Sequence, residues 1–359
     1  RVVLDTSHVL DERYREARWR EAKKEWGELA LEPRWKVCVR AAATTLRDPL
    51  TDVYMARHFS EETRTSFRTM YDRFASAFDE RLLEIDWMDA PTRDAARAKL
   101  AAMTPRIGGP QKLDGPLAPI VLGRHGENVL GVDLARTRRG FAAAGGPFDE
   151  ERWRRSALDT NAFVDNTNNS IVFPAAFLRP PMFDPRATIP VQYGAIGFHL
   201  GHEMIHNFDT NGARHDKSGR LANWWTPESW KAFQSKADCI RARFAAEPPI
   251  ADRRLDADRT LTENIADFGG LKLAFRAYRH AREGAKRVSV AGRYTEDQQF
   301  FMSFAQDHCV VFGDVDLMRF IERNAHAPHW LRVNAAAESS TEFQRAFGCK
   351  PKGSTCELW

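Results

Sequence analysis

Apolar positions recur at spacings of three and four along much of this chain, and the clearest run predicts a long helix. From Ser60, a fitting N-cap, the positions Phe67, Met70, Tyr71, Phe74, Phe78, Leu82 and Ile85 fall on one side of such a helix. An aromatic stripe of this kind reads as core. Residues 11–27 mix Arg, Glu and Lys with Tyr14, Trp19 and Trp26, which predicts a charged surface helix with an aromatic inner edge. The interspersed glutamates cancel the field that a basic binding arm would need. Pro91 opens a further helix running toward Met103. Between Thr104 and Gly146 the periodicity breaks at Gly108-Gly109-Pro110, Gly115-Pro116 and Gly145-Gly146, with short apolar pieces at 120–122 and 129–132. That stretch reads as a connector between two lobes. Farther on, Asn168-Asn169-Ser170 signals a turn into Ile171-Val172-Phe173-Pro174, a short strand expected at a sheet edge because proline cannot donate to a ladder.

One helical segment carries chemistry. In His202-Glu203-Met204-Ile205-His206 the two histidines are four apart and project from the same face, so their imidazoles can converge on one metal ion. Glu203 falls roughly a hundred degrees from His202 around the helix, where it can reach a reacting water without being a ligand. This is the pattern of a zinc hydrolase.

A catalytic zinc takes three protein ligands and keeps one position open. The spacing H-E-x-x-H-x-x-G-x-x-H is excluded, because Phe208 stands where the glycine would be and Gly212 where the last histidine would be. His199 and His215 lie at the wrong offsets and read as ordinary polar or core histidines. A downstream glutamate is then the expected third ligand, with Glu228 and Glu263 as candidates. Glu228 follows Thr226-Pro227, so the start of a helix already accounts for its charge. Glu263 opens Glu263-Asn264-Ile265-Ala266-Asp267 and puts Asp267 one turn later on the same face, where a carboxylate can accept the free N–H of a ligating histidine. Glu263 is the better choice. Gly269-Gly270 just beyond it points to close backbone packing.

Composition narrows the setting. With 359 residues, 43% hydrophobic and 28% charged, the chain is an ordinary globular one long enough for two domains. A formal charge of +4 from dispersed Lys and Arg leaves no nucleic-acid footprint. No apolar run reaches the roughly 18 residues of a membrane span. The start at Arg1, with neither methionine nor signal peptide, is read as that of a processed or partial product. The five cysteines, Cys38, Cys239, Cys309, Cys349 and Cys356, show no CxxC spacing; disulfides are expected rather than a thiolate metal site, with one cysteine left over.

Together, the H-E-M-I-H-N-F-D stretch from His202, the E-N-I-A-D stretch from Glu263, Asn161-Ala162-Phe163 ahead of Ile171-Val172-Phe173-Pro174-Ala175, and the ending Cys356-Glu357-Leu358-Trp359 resemble the neprilysin and endothelin-converting enzyme family of zinc endopeptidases. The similarity runs from about Leu10 to the last residue and matches the C-terminal half of a full-length member. It implies a mainly helical fold with small β elements, a thermolysin-like (gluzincin) catalytic domain facing part of a helical cap domain across a cavity that admits peptides. Residues 1–85 would be part of the cap, 86–149 an inter-domain connector and 150–359 the zinc catalytic domain. It also implies one zinc ion on His202, His206 and Glu263, with Glu203 as general base and Asp267 orienting a ligand. His326 would be a transition-state donor, and Asn161, Ala162 and Arg332 would bind substrate. The implied reaction is cleavage of small to medium peptides on the amino side of hydrophobic residues. A catalytically inactive peptide binder and a zinc amidohydrolase acting on a non-peptide amide are the alternatives.

By the same resemblance Cys239 would pair with Cys356. Cys38, Cys309 and Cys349 would meet partners in an N-terminal half of the same protein, in an extracytoplasmic setting, whether secreted, periplasmic or a membrane-anchored ectodomain. The chain departs from the family pattern at Phe268, at Val164 and in a short segment between Cys239 and Glu263.

Overall fold

A computed structural model describes residues 11–26, 30–110, 115–146, 153, 155–250, 252–284, 293–350 and 355–359. Residues 1–10 and 27–29 of the expected cap segment, and 111–114 and 147–149 of the expected connector, lie outside this set. The described elements run α1 (Glu12–Trp26), α2 (Arg34–Thr45), α3 (Arg47–His58), α4 (Glu61–Glu84), α5 (Ala90–Ala101), β1 (Thr104–Gly108), α6 (His125–Ala143), β2 (Phe163–Asp165) and β3 (Ser170–Pro174). They continue with α7 (Ile189–Gly194), α8 (Ile196–His206), α9 (Pro227–Ala245), α10 (Leu261–Arg282), α11 (Glu296–Asp307), α12 (Asp314–Arg323), α13 (His329–Ser339) and α14 (Thr341–Phe347). The fold is mainly helical with one small sheet, as expected.

Packing groups residues 1–60 with 108–159, and 61–107 with 160–359. This grouping by contact does not follow the divisions at 85 and 149 drawn from the sequence. In the first unit α2 packs against α6, and Arg136 Nη2 donates to Thr44 O at 3.1 Å. Helix α6 occupies part of the stretch whose glycines suggested only short apolar pieces. Val129 and Val132, three apart, bury one side of it, while Gly131 and Gly140 are uncrowded, so each weakens the helix by about 1 kcal/mol without breaking it.

The second unit holds the core. The stripe on α4 is buried as its spacing predicts, from Phe67 to Leu82. Asp89 caps α5 by accepting from Thr92 N at 3.1 Å, with Pro91 in the first turn. The sheet has the order β1-β3-β2, and β2 runs antiparallel to β3 with Phe163 opposite Val172 and Asp165 opposite Ser170. The edge position expected for 171–174 is therefore corrected: β3 is the central strand, all five of its residues are buried, and Pro174 closes it at its end instead of interrupting a ladder. The outer position next to β3 belongs to β2.

Helices α8 and α10 meet backbone to backbone. A Cβ on Gly270 would lie 2.6 Å from His202 N, and one on Gly201 would lie 2.5 Å from Gly270 O. Only hydrogen at both positions allows the approach. Helix α10 is buried without interruption from Asn264 to Leu271, which marks it as the helix at the centre of the unit. Gly270→Ala is expected to destabilise the protein by about 1–3 kcal/mol, the strain of overpacking outweighing alanine's helix propensity. Chemical denaturation checks this, and an unchanged midpoint would refute the close contact.

The C-terminus closes the same core. Trp359 is 3% exposed and stands within 6.1 Å, ring to ring, of Phe78, Trp87, Phe208 and Phe233. Cys239 on α9 is bonded to Cys356, the pairing that the resemblance implied. Trp87 Nε1 donates to Leu358 O at 3.0 Å.

Candidate metal centre

Helix α8 has only eleven residues, and all but His199 are buried. Its face toward α10 presents His202 and His206, whose Nε2 atoms are 2.9 Å apart. Glu263, in the first turn of α10, brings Oε2 to 3.2 Å from each of these nitrogens. Among the described residues, these three are the one cluster of His, Cys, Asp or Glu whose ligand atoms all lie within 4.8 Å of one another.

The far side of each imidazole shows why these atoms are drawn together. His202 Nδ1 donates to Asp267 Oδ1 at 2.9 Å, and His206 Nδ1 donates to Asp209 Oδ2 at 2.6 Å. With protons on both Nδ1 atoms, the two Nε2 lone pairs point at the same spot as a carboxylate oxygen. Three converging electron pairs repel unless a cation sits between them. Glu263 Oε2 is buried and makes no hydrogen bond, although imidazole nitrogens surround it. An orphaned buried carboxylate oxygen beside two lone pairs fits a divalent metal with nitrogen and oxygen ligands. Burial alone would raise the Glu263 carboxyl, but without a metal His202, His206 and His326 can each carry a proton on Nε2, and their hydrogen bonds then outweigh burial and hold the group far below the usual carboxylate range. It is therefore anionic at any physiological pH.

Asp267 is 1% exposed and accepts from two side chains. Besides His202 it accepts Nε and Nη2 of Arg332, each at 2.7 Å. Burial opposes its ionisation, and the Arg332 charge overcomes that, holding the carboxyl well below its ordinary value. Arg332 on α13 is itself 7% exposed, so the guanidinium expected to bind substrate also braces the carboxylate behind His202. The two positions join α13 to the metal cluster through one fork of hydrogen bonds.

His326 lies on the loop before α13, half-buried. Its backbone N–H donates to Asn324 Oδ1 at 2.8 Å, which fixes the amide orientation, so Nδ1 donates to the same oxygen at 3.0 Å. Nε2 is left facing Glu263 Oε2 at 3.0 Å. Glu203 is 7% exposed, next to His202 on α8. Asn161 is exposed and Ala162 buried, immediately before β2. Glu228 sits at the start of α9, exposed, where Thr226 caps the helix by accepting from Ser229 N at 3.2 Å. It takes no part in the cluster.

Two residues at the centre escaped the sequence reading. Asp209 orients His206 and, through Oδ1, accepts Asn211 N at 2.7 Å and Gly212 N at 2.8 Å, closing the turn after α8. Its signal was present, an aspartate three residues beyond the second histidine. Asn324 orients His326, and nothing in the sequence marked it.

A helix carrying His-Glu-x-x-His, crossed by a second helix that supplies a glutamate, within a mainly helical fold, defines the thermolysin-like class. Comparison with known proteins narrows this. Models described as Peptidase family M13 match residues 161–357 and 1–110. Human endothelin-converting enzyme-like 1 is 33% identical over the whole of this chain and 48% of its own length. Neprilysin-2 of Drosophila melanogaster is 30% identical over 98% of the chain and 49% of its own. The crystal structure of Mycobacterium tuberculosis zinc metalloprotease ZMP1 in complex with inhibitor superposes with a TM-score of 0.88 at 28% identity, over 98% of this chain and 54% of that one. The chain belongs to peptidase family M13, and the resemblance to neprilysin and the endothelin-converting enzymes is borne out. It spans about half the length of the curated relatives it matches.

Proposed function

We propose that the protein carrying this chain is a zinc endopeptidase acting on small to medium peptides. The observation that carries the reading is the convergence of His202, His206 and Glu263 with the outer nitrogen of each histidine tied to a buried carboxylate. Zinc bound by these three would polarise the scissile carbonyl and acidify the attacking water. Glu203 then takes the proton of that water on its carboxylate and delivers it to the leaving amine nitrogen. Asp267 and Asp209 keep the two imidazoles in the ligating tautomer. With Nδ1 donating to Asn324, His326 would need a second proton, on Nε2, to donate from there to the carbonyl oxygen as negative charge grows on it. Asn161, Ala162 and Arg332 hold the peptide backbone, and the family resemblance adds a preference for bonds on the amino side of hydrophobic residues.

In this reading residues 150–359 carry the catalytic role, residues 1–85 belong to the cap and 86–149 connect them. Cys38, Cys309 and Cys349 are exposed and unbonded within the chain, which supports disulfides to an N-terminal half of the same protein. The Cys239–Cys356 bond supports an extracytoplasmic setting. Among the described residues no helix is long and apolar enough to cross a membrane.

A mixed peptide library offered to the full-length protein tests the reading. Internal bonds should be cut, cutting should stop with a chelator, and added zinc should restore it. Peptide binding without cleavage would favour a homologue that has lost catalysis, and hydrolysis confined to a simple non-peptide amide would favour an amidohydrolase.

A further inference from the structure

His199 stands three residues before His202, so both side chains leave α8 on the ligand-bearing face, about 4.5 Å apart along the helix axis. An extended peptide advances about 3.3 Å per residue, so a substrate with its scissile bond at the metal has a neighbouring side chain near His199. Nothing in the ligand set explains what is found there. His199 Nε2 lies 2.5 Å from Oδ2 of Asp307, the last residue of α11. The side chains are 19% and 6% exposed, so the pair is largely buried and reaches solvent mainly through His199.

Its surroundings are aromatic, two phenylalanines and a histidine. The His199 ring meets Phe177 edge-on at 5.3 Å and Phe198 at 5.4 Å, and lies parallel to His308 at 6.1 Å. Phe198 is in turn 5.8 Å from the ring of His202, which ties this aromatic group to the metal cluster. An imidazole and a carboxylate among phenylalanines add little to stability, because desolvation offsets their attraction and a hydrophobic pair would pack there as well or better.

Asp307 keeps one oxygen for a cation, although His199 and Arg332 already lend it positive charge. Arg332, whose field reaches Asp307, is matched by the two hydrogen bonds it donates to Asp267. His308 is pushed down to about 4, by burial first and then by Arg332, and is neutral at physiological pH. Burial raises the Asp307 carboxyl, and His199 outweighs burial, so the group is anionic. Among the described residues no hydrogen bond occupies its second oxygen, Oδ1.

We propose that His199 and Asp307 form a substrate side-chain subsite beside the metal cluster that takes lysine or arginine, with the methylene stem passing the partly exposed His199 ring and the cationic end at Asp307. This rests on the peptidase reading and changes its finer part: a purely hydrophobic preference gives way to a side chain with an apolar stem and a positive end. His199 is then the group that holds the carboxylate in place while the subsite is empty.

The test uses zinc-loaded full-length protein and peptides that differ only in the residues flanking the cleaved bond, set to Leu, Phe, Lys, Arg or Glu in turn. Lys or Arg should exceed Leu in kcat/KM by about tenfold or more, as for a charge-assisted hydrogen bond. In Asp307→Asn that ratio should fall to about one, whereas His199→Gln, which frees the carboxylate, should keep or raise it. A role in packing alone would lower all substrates alike and leave the ratio unmoved in both variants. A wild-type preference for Leu and Phe, or an unchanged ratio in Asp307→Asn, overturns the subsite. If Asp307→Asn does not fold, as judged by zinc content, the His199→Gln ratio decides the question, a fall below the wild-type value counting against the subsite. Failure of the wild type to cut any peptide overturns the peptidase reading itself, a different result from cleavage with the wrong preference.

Discussion

Replacing Glu203 by glutamine is expected to lower kcat by about 10²- to 10⁴-fold while zinc stays bound at one per chain. The two side chains have nearly the same shape, and Glu203 is no member of the three-residue cluster of His202, His206 and Glu263, so the variant keeps α8 and the ligand set intact. What it loses is the carboxylate proposed to accept the water's proton. Metal analysis beside a peptide assay separates the two quantities. Substantial peptidase activity in Glu203→Gln would remove Glu203 from the role of base, and loss of zinc would mean that it supports the ligands instead.

The second large effect is expected at Asp267. Asp267→Ala takes away the acceptor of His202 Nδ1 and leaves Arg332, 7% exposed, without its partner. Breaking a buried ion pair from one side costs about 3–5 kcal/mol, because the remaining charge is held out of water with nothing to match it. Loss of the orienting carboxylate also weakens metal binding by about 10- to 100-fold. The two losses can be told apart. Adding Arg332→Met to Asp267→Ala removes the stranded charge and should return part of the stability, but zinc affinity should stay low because His202 still lacks its acceptor. Denaturation of the metal-free protein measures the first and competition with a chelator of known affinity measures the second. Equal recovery of both in the double variant would contradict the geometry.

Much of the centre was legible because its spacing is local. His202 and His206 are four apart, and Glu263 and Asp267 are four apart, so each pair is placed on one face by helix periodicity alone. The choice of Glu263 over Glu228 likewise followed from local chemistry, since a helix start explained Glu228. The stripe on α4 was legible for the same reason. Where the reading failed, the deciding interaction was remote or the local signal was mixed. Pro174 suggested an edge strand, yet β3 is central because β1 arrives on its other side from sixty residues upstream. The breaks at Gly115-Pro116 and Gly145-Gly146 suggested a connector with only short apolar pieces between them, yet two buried valines hold α6 together there.

Lys99 shows the limit most plainly. The sequence presents it as one more charged residue on a helix rich in Ala and Arg. In the fold it is 1% exposed, and its Nζ donates to Gly212 O and His215 O at 2.6 Å, securing the turn that follows α8. No periodicity announces such a contact.

The sequence by itself determined the family of this chain and the candidate chemistry: two histidines and a glutamate suited to a metal, with a glutamate beside them proposed as base. Those are matters of residue type and of spacings within one or two helical turns. Only the tertiary structure decided how the pieces meet. It set α8 on α10 through Gly201 and Gly270, it gave Asp267 to both His202 and Arg332, and it put Asp307 against His199 across a gap of more than a hundred residues. The reason is physical. A helix fixes neighbours within about 6 Å along its own surface, but which surfaces come together depends on burial summed over the whole core, and no short stretch of sequence contains that sum.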